Sequence, residues 1–435
     1  MKVCKFGGSS LADAEQFKKV KAIVEADKER RYIVPSAPGR RDNKDFKITD
    51  ILYLCYEHVQ KSVNMDYIYT MLEERYSELV RDLGLSLDID RELAEIKAQI
   101  LNGASKDYCA SRGEYLCSLI LSEYLDMPVV SPEELIVIRS DGKLDDKLSY
   151  EKIGEVLSKY EKAVIPGFYG ATKMGKIKTF SRGGSDISGA VIARGLHADL
   201  YENWTDVSGF MMADPRIVGK EKGILELTFK ELRELSYMGA NVFHEEAVFP
   251  VYGSGISINI KNTNRPEDPG TMIVDKRDIH KYGPVTGISA KKNFTVIAIE
   301  KSLLHENKNF YTDLINVLNK HNVNFEHIPS SIDSLSVVIS DEEIADKLDQ
   351  VMEDLEQKLE PDSIQALPNM ALVAVVGAGM VKTKGMAAKI FTAFSDSGVN
   401  IRMINQGSNE LSIIIGVEND DVERAINGLF SIFAQ

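Results

Sequence analysis

The last third of the chain repeats itself, and this repeat narrows the folds open to it more than any other feature. Val323-Asn324, closing one predicted helix, returns as Val399-Asn400, closing another 76 positions on. The same offset lays Leu335-Ser336-Val337-Val338-Ile339 over Leu411-Ser412-Ile413-Ile414-Ile415. Each copy opens on an apolar, strand-like run, Phe294 to Ile299 and Ala371 to Val376, followed by a helical pattern. Strand, helix, strand, strand, helix, with a last strand before the next unit, is a ferredoxin-like βαββαβ module, and the repeat predicts two of them.

The preceding residues read differently. Short strands at Val3–Phe6, Arg31–Val34, Pro128–Val130, Leu135–Ile138, Ala163–Phe168 and Ile256–Ile260 are separated by helical segments. The largest helical region runs from about Ile51 to Leu125, and Phe229 to Phe249 reads as a helix pair. This alternation predicts an α/β fold, an open, mainly parallel sheet with helices on both faces. A boundary falls near Asp278 to Pro284, dividing the chain into 1–284, 285–365 and 366–435.

Two glycine-rich turns carry the chemistry. The first, Val3-Cys4-Lys5-Phe6-Gly7-Gly8-Ser9-Ser10, passes from a strand through paired glycines towards a helix with apolar residues at Phe17, Val20 and Val24. Ser9 or Ser10 could cap that helix. Bare amides at such a turn attract anions, and Lys5 adds a cation; a plain βα turn would show the same glycines. The second, Thr179-Phe180-Ser181-Arg182-Gly183-Gly184-Ser185-Asp186, adds a cation, a hydroxyl and a carboxylate at a helix start. Arg216 in Ala213-Asp214-Pro215-Arg216 is a third cation able to meet phosphate, and Ser36 stands in the strand-end loop Pro35–Gly39. Gly113, in Ser111-Arg112-Gly113-Glu114, costs about 1 kcal/mol relative to alanine inside a helix and hints at a close approach. The pattern GxxxxGK[ST] and the protein-kinase signatures are absent, so a polyphosphate site here is of another type. Gly377-Ala378-Gly379 lacks the third glycine and acidic residue of a dinucleotide fingerprint.

Composition excludes other readings. A formal charge of −14 over 435 residues argues against broad contact with nucleic acid or anionic membrane. No apolar run is long enough to span a bilayer, and the first residues lack a signal-peptide pattern. Cys4, Cys55, Cys109 and Cys117 form no CxxC pair and the seven histidines are scattered, so neither a metal centre nor a disulfide framework is expected, and a reducing cytoplasm fits.

In order along the chain, Lys5-Phe6-Gly7-Gly8-Ser9-Ser10, Arg182-Gly183-Gly184-Ser185-Asp186, Trp204-Thr205-Asp206-Val207-Ser208-Gly209, Ala213-Asp214-Pro215-Arg216 and the doubled C-terminal module resemble the aspartate kinases, which have an amino-acid-kinase fold followed by two ACT domains. The resemblance covers essentially the whole chain. It implies transfer of the γ-phosphoryl of Mg-ATP to the side-chain carboxylate of L-aspartate, the step opening the route to lysine, threonine and methionine. Lys5 and Asp186 would be the catalytic pair, with Asp186 orienting Lys5 rather than acting as base. Gly7, Gly8 and Ser9 would line the transferring group, and Ser36, Thr49, Glu114, Arg182 and Ser185 would hold aspartate. Thr205, Asp206, Met211 and Arg216 would hold nucleotide, with Mg2+ carried by the ATP phosphates. The ACT pair implies a homodimer or tetramer and feedback by an amino acid, lysine first and threonine as the alternative. The effector candidates are His305, Asn309, Phe310, Ser330, Ser331 and Asp333. The end at Gln435 implies no fused homoserine dehydrogenase. One departure stands out: the family's Gly-Ala-Lys-Val-Leu-His-Pro is here Gly239-Ala240-Asn241-Val242-Phe243-His244-Glu245, so a lysine that normally reaches ATP is missing, and Lys261 is a candidate substitute. A related carboxylate kinase, and an amino-acid sensor with a decayed kinase half, are the competing readings.

Overall fold

A computed structural model describes residues 1–181, 183–240, 243 and 245–434. Arg182, Asn241, Val242 and His244 lie outside the described residues, and with them the aspartate-holding role expected of Arg182 and the departure at Asn241. The chain forms two compact units: residues 1–210, 223–232 and 241–277, and residues 211–222, 233–240 and 278–435.

The first unit is built on a seven-stranded sheet in the order Ala163–Val164, Arg30–Pro35, Lys2–Phe6, Leu200–Thr205, Ser257–Asn262, Thr271–Val274, Glu226–Thr228. Neighbours run parallel except Ser257–Asn262 and Thr271–Val274. Side chains alternate across a strand, and the register fixes what each face carries. Cys4 and Phe6 pair with Glu202 and Trp204 and join the apolar core that includes the helices Ala14–Glu25, Ile48–Gln60, Asp66–Leu83, Ile89–Leu101 and Lys106–Leu125. Lys5 pairs with Asn203 and turns to the other face, towards the helix Gly184–Gly195.

Glu202 anchors the core side of this sheet. It is 2% exposed and accepts from Arg30 Nε at 2.8 Å, Lys2 Nζ at 3.1 Å and Trp204 Nε1 at 2.9 Å. Burial pushes its carboxyl up, and the bonds from Arg30 and Lys2 outweigh that and hold it below the ordinary value. Glu202→Ala leaves the Trp204 indole N–H unpartnered and the Arg30 guanidinium without its carboxylate, with only the Ile23 carbonyl still accepting from it. We expect a loss of about 3–5 kcal/mol, with a smaller loss for Glu202→Gln. Denaturation followed by the fluorescence of Trp204, the sole tryptophan, measures both.

In the second unit a five-stranded antiparallel sheet runs Ser334–Ser340, Gly287–Glu300, Ser363–Val376, Ser412–Glu418, Met403–Gln406. The two 14-residue strands are each shared between modules. Phe294 to Glu300 pairs with Ser334–Ser340 and with the first half of Ser363–Val376, while Gly287 to Lys291 pairs with its second half. The closing strand of the second module therefore comes from upstream of the first, rather than from the end of its own repeat. The helices Phe310–Lys320 and Leu348–Leu359 bury Leu314, Val317, Val351 and Leu355 against the first module's strands. No described helix is long and apolar enough to cross a membrane.

Several expectations change. The first long helix begins at Ala14, not at the glycine turn, because Asp13 accepts from Gln16 N at 2.9 Å; Ser9 and Ser10 lie in a 3-10 turn, Gly8–Leu11. Val129 and Val137 to Ile138 form isolated bridges only, and Pro132–Glu134 is a 3-10 turn between them. Of the predicted pair over 229–249, the helix Phe229–Tyr237 forms and a 3-10 turn, Glu245–Val248, stands for the other.

Candidate active site

Lys5 is 7% exposed, and its Nζ lies 2.5 Å from Asp186 Oδ1. The same oxygen accepts from Asn203 Nδ2 at 2.7 Å, and Tyr201 donates to the Asp186 carbonyl at 3.0 Å. Two adjacent strands and the first turn of Gly184–Gly195 thus hold one ammonium at the C-terminal end of the sheet, where open α/β sheets bind ligands. Asn203 has no place in the sequence reading. Its signal in the sequence is slight: a polar Glu202-Asn203 pair just before Trp204, in a strand the structure buries.

The glycine turns stand around this ammonium. Gly7 N donates to the Trp204 carbonyl at 2.9 Å, and a β-carbon on Gly7 would lie 3.4 Å from Lys5 Nζ. Gly39 N donates to Gly8 O at 2.8 Å, and a β-carbon on Gly39 would come within 2.5 Å of the Gly8 carbonyl carbon, so the two loops touch backbone to backbone. Arg75, 4% exposed, locks the second loop: it donates to Gly39 O at 2.8 Å and Ala12 O at 3.2 Å, and pairs with Asp45. Gly183, with φ of 70°, takes the left-handed conformation at the start of Gly184–Gly195, where the other side chains would be strained.

The helix Lys106–Leu125 brings Glu114 to the same loops. Gly113 has the close approach its position suggested: a β-carbon there would meet that of Ala37 at 2.8 Å. Glu114 is 5% exposed and 3.5 Å from Ser185 Oγ through Oε1, and its Oε2 is buried without a hydrogen-bond partner. Burial pushes its carboxyl up to about 7, against the Ala37 and Glu114 backbone amides and Ser185. Ser36 and Thr49 are half-buried on the loop and helix flanking Ala37. Lys5, Gly7, Gly8, Ser9, Ser36, Thr49, Glu114, Ser185 and Asp186 all belong to the first unit, as do Thr205, which ends its strand, and Asp206, whose carboxylate accepts from Thr205 Oγ1 at 3.1 Å. Met211 and Arg216 belong to the second unit. There Arg216 is 89% exposed and folds onto Asp214 of its own turn at 2.6 Å. Lys261 Nζ donates to the Asp268 carbonyl at 2.7 Å and lies over the Trp204 ring, so its ammonium is already engaged.

Among the effector candidates, Asp333 Oδ1 accepts from Leu303 N at 2.9 Å, which joins the segment holding His305 and Asn309 to that holding Ser330 and Ser331. Phe310 is 1% exposed and packs in the first module's core.

Residues 1–262 match the amino acid kinase family and residues 373–433 match the ACT domain. Aspartokinase 3 of Bacillus subtilis is 36% identical, over all of this chain and 98% of its own length. The crystal structure of Clostridium acetobutylicum aspartate kinase, described as an allosteric enzyme, superposes with a TM-score of 0.97 at 54% identity over the whole of both chains. Escherichia coli aspartokinase III, solved in complex with aspartate and ADP, shares the fold at 24% identity and a TM-score of 0.75 over both whole chains.

Proposed function

The chain belongs to the amino acid kinase family and groups within it with the aspartate kinases, and from that premise we propose that it transfers the γ-phosphoryl group of ATP to the side-chain carboxylate of L-aspartate. The observation that carries this reading is the buried Lys5 ammonium, held by Asp186 and Asn203 between two glycine turns and beside a carboxyl, Glu114, with an unpartnered oxygen. The aspartate carboxylate oxygen attacks the γ-phosphorus as the bond to the β-phosphate oxygen breaks, giving 4-phospho-L-aspartate and ADP. The nucleophile is already ionised at neutral pH, so no side chain need remove a proton. Lys5 offsets charge on the moving group, and the Gly7 backbone, the Gly8 amide and the Ser9 hydroxyl line it, the Gly7 amide itself being held by the Trp204 carbonyl. Asp186 and Asn203 position Lys5. Glu114 receives the aspartate ammonium; Ser36, Thr49, Ser185 and Arg182 hold its remaining groups, Arg182 taking a carboxylate. Thr205, Asp206, Met211 and Arg216 serve the nucleotide.

Mg2+ would be held through the ATP phosphates, where it would offset their charge. Among the described residues no three of His, Cys, Asp and Glu cluster to hold a metal, and this donor set suits an ion carried by the nucleotide. Lys5 and the Gly8 amide are the groups that would meet the phosphates' charge.

For regulation we propose the division 1–284, 285–365 and 366–435, with an amino-acid effector where 303–310 meets 330–333 in a homodimer or tetramer. Lysine is the first candidate, as in the lysine-sensitive aspartokinase 3 of Escherichia coli, and threonine the second. The four buried free thiols suit a reducing cytoplasm.

Trapping the acyl phosphate as a hydroxamate tests the reaction. With ATP we expect product from aspartate, and little from glutamate or N-acetylglutamate. Product from glutamate alone would move the chain to another carboxylate kinase. No product from any of the three, with an amino acid still bound in calorimetry, would make it a sensor.

A further inference from the structure

Arg112 has no role in the site above, yet it is 6% exposed and, among the described residues, forms no ion pair with a carboxylate. Its Nε and Nη2 donate to Ser111 Oγ at 3.2 and 2.9 Å. The guanidinium is otherwise boxed by the rings of Tyr108, Tyr115 and Tyr169, at 4.5, 4.7 and 5.4 Å. A buried cation met, among the described residues, by ring faces and hydroxyls but no carboxylate is an incomplete arrangement, because desolvating a charge is costly unless an opposite charge joins it.

A cavity of about 430 Å3 opens beside it, between the helices Ile89–Leu101 and Lys106–Leu125. That size falls within the roughly 300–1,000 Å3 of small-molecule sites. Arg112 and the two tyrosines Tyr108 and Tyr115 line one wall; the facing helix supplies the buried Ile96 and the carboxylates Glu92 and Glu95. Tyr115 donates to Glu92 Oε2 at 2.9 Å, which fixes that carboxylate on the wall. Arg112 and Glu114 are two positions apart on one helix, roughly 200° around it, so this cavity and the Glu114 site lie on different sides of the same helix.

We propose that this cavity is a second, regulatory ligand site, taking an α-amino acid with an apolar side chain. The carboxylate goes to Arg112, the ammonium to Glu92 and Glu95, and the side chain to Ile96 and the tyrosine faces. A simple anion would meet two carboxylates, and a simple cation would meet the guanidinium; a zwitterion matches both. The occupant reaches the reaction through charge. The Arg112 field opposes protonation of Glu114, and a carboxylate on Arg112 weakens that field. This coupling rests on the aspartate reading above; the binding does not.

Calorimetry on the full chain with saturating aspartate, using L-leucine as probe, tests the site. We expect binding, weakened about tenfold or more for 4-methylpentanoate, which lacks the ammonium, and for L-leucinamide, which lacks the carboxylate. Ala98→Trp and, independently, Gln99→Trp place a ring in the cavity from exposed rim positions and should weaken L-leucine by at least about tenfold while leaving the thermal melt near wild type. No heat with millimolar L-leucine, equal binding of all three probes, or undiminished binding in both tryptophan variants would overturn the site. The aspartate KM should rise with L-leucine in the wild type and stay fixed in Ala98→Trp; an unchanged KM in the wild type would overturn the coupling.

Discussion

Lys5→Ala should lower kcat by about 10²- to 10³-fold or more, the size of effect seen when one group aimed at developing charge is removed. The side chain is buried and its ammonium meets Asp186 at 2.5 Å, so nothing from solvent replaces it in place. The fold should survive, because Asn203 still donates to the Asp186 carboxylate and the strand's core contacts belong to Cys4 and Phe6 on the other face. Steady-state kinetics and a thermal melt on the same preparation separate the two effects. Near-normal turnover would place phosphoryl transfer elsewhere.

Glu114→Gln should act on aspartate more than on ATP. A charge-assisted bond to an ammonium is worth roughly 1.5–3 kcal/mol, so the aspartate KM should rise roughly ten- to a hundredfold with a smaller change in kcat. The wild-type carboxyl stands at about 7, so aspartate affinity should fall as pH drops through that value, and the variant should lack this dependence. Stability moves in the opposite sense. Between the ordinary value of 4.5 and about 7 the folded chain keeps a proton that the unfolded chain has lost. Stability therefore falls as pH rises across that window, and the full cost is present above it. Glu114→Gln removes that cost, so at about pH 8 the variant should be the more stable by roughly 3 kcal/mol, with the difference fading below 4.5. Urea denaturation at several pH values measures it; a variant less stable than wild type at about pH 8 would contradict the assigned burial cost.

Local patterns made much of this architecture readable. The strand at Lys5, the Gly113 approach and the doubled C-terminal module all follow from periodicity or from a residue out of place in its element. What stayed hidden depends on partners far along the chain. The offset of 76 finds two similar segments, but which strand closes each module is decided by pairing between Gly287–Lys291 and Leu372–Val376, and no local residue signals it. Asn203 reaches Asp186 only because its strand lies beside Lys2–Phe6 in matching register. Ser9 and Ser10 have the chemistry of a helix cap, but so does Asp13, and the geometry selects Asp13. Leu135 to Ile138 has the composition of a strand but pairs through bridges alone. Glu114 is legible as a carboxylate beside a helix glycine, whereas its raised proton affinity comes from burial, which outweighs the opposing bonds from the Ala37 and Glu114 backbone and Ser185.

The central claim is that Lys5 meets the γ-phosphate of ATP while Glu114 holds the ammonium of the aspartate that attacks it. A crystal structure of this chain with L-aspartate and a non-hydrolysable ATP analogue tests it directly. The account predicts the aspartate ammonium on Glu114, its side-chain carboxylate facing the γ-phosphate, and Lys5 Nζ within hydrogen-bond reach of that phosphate. An aspartate bound with its ammonium away from Glu114, or a Lys5 still turned to Asp186 with the γ-phosphate out of reach, would contradict it.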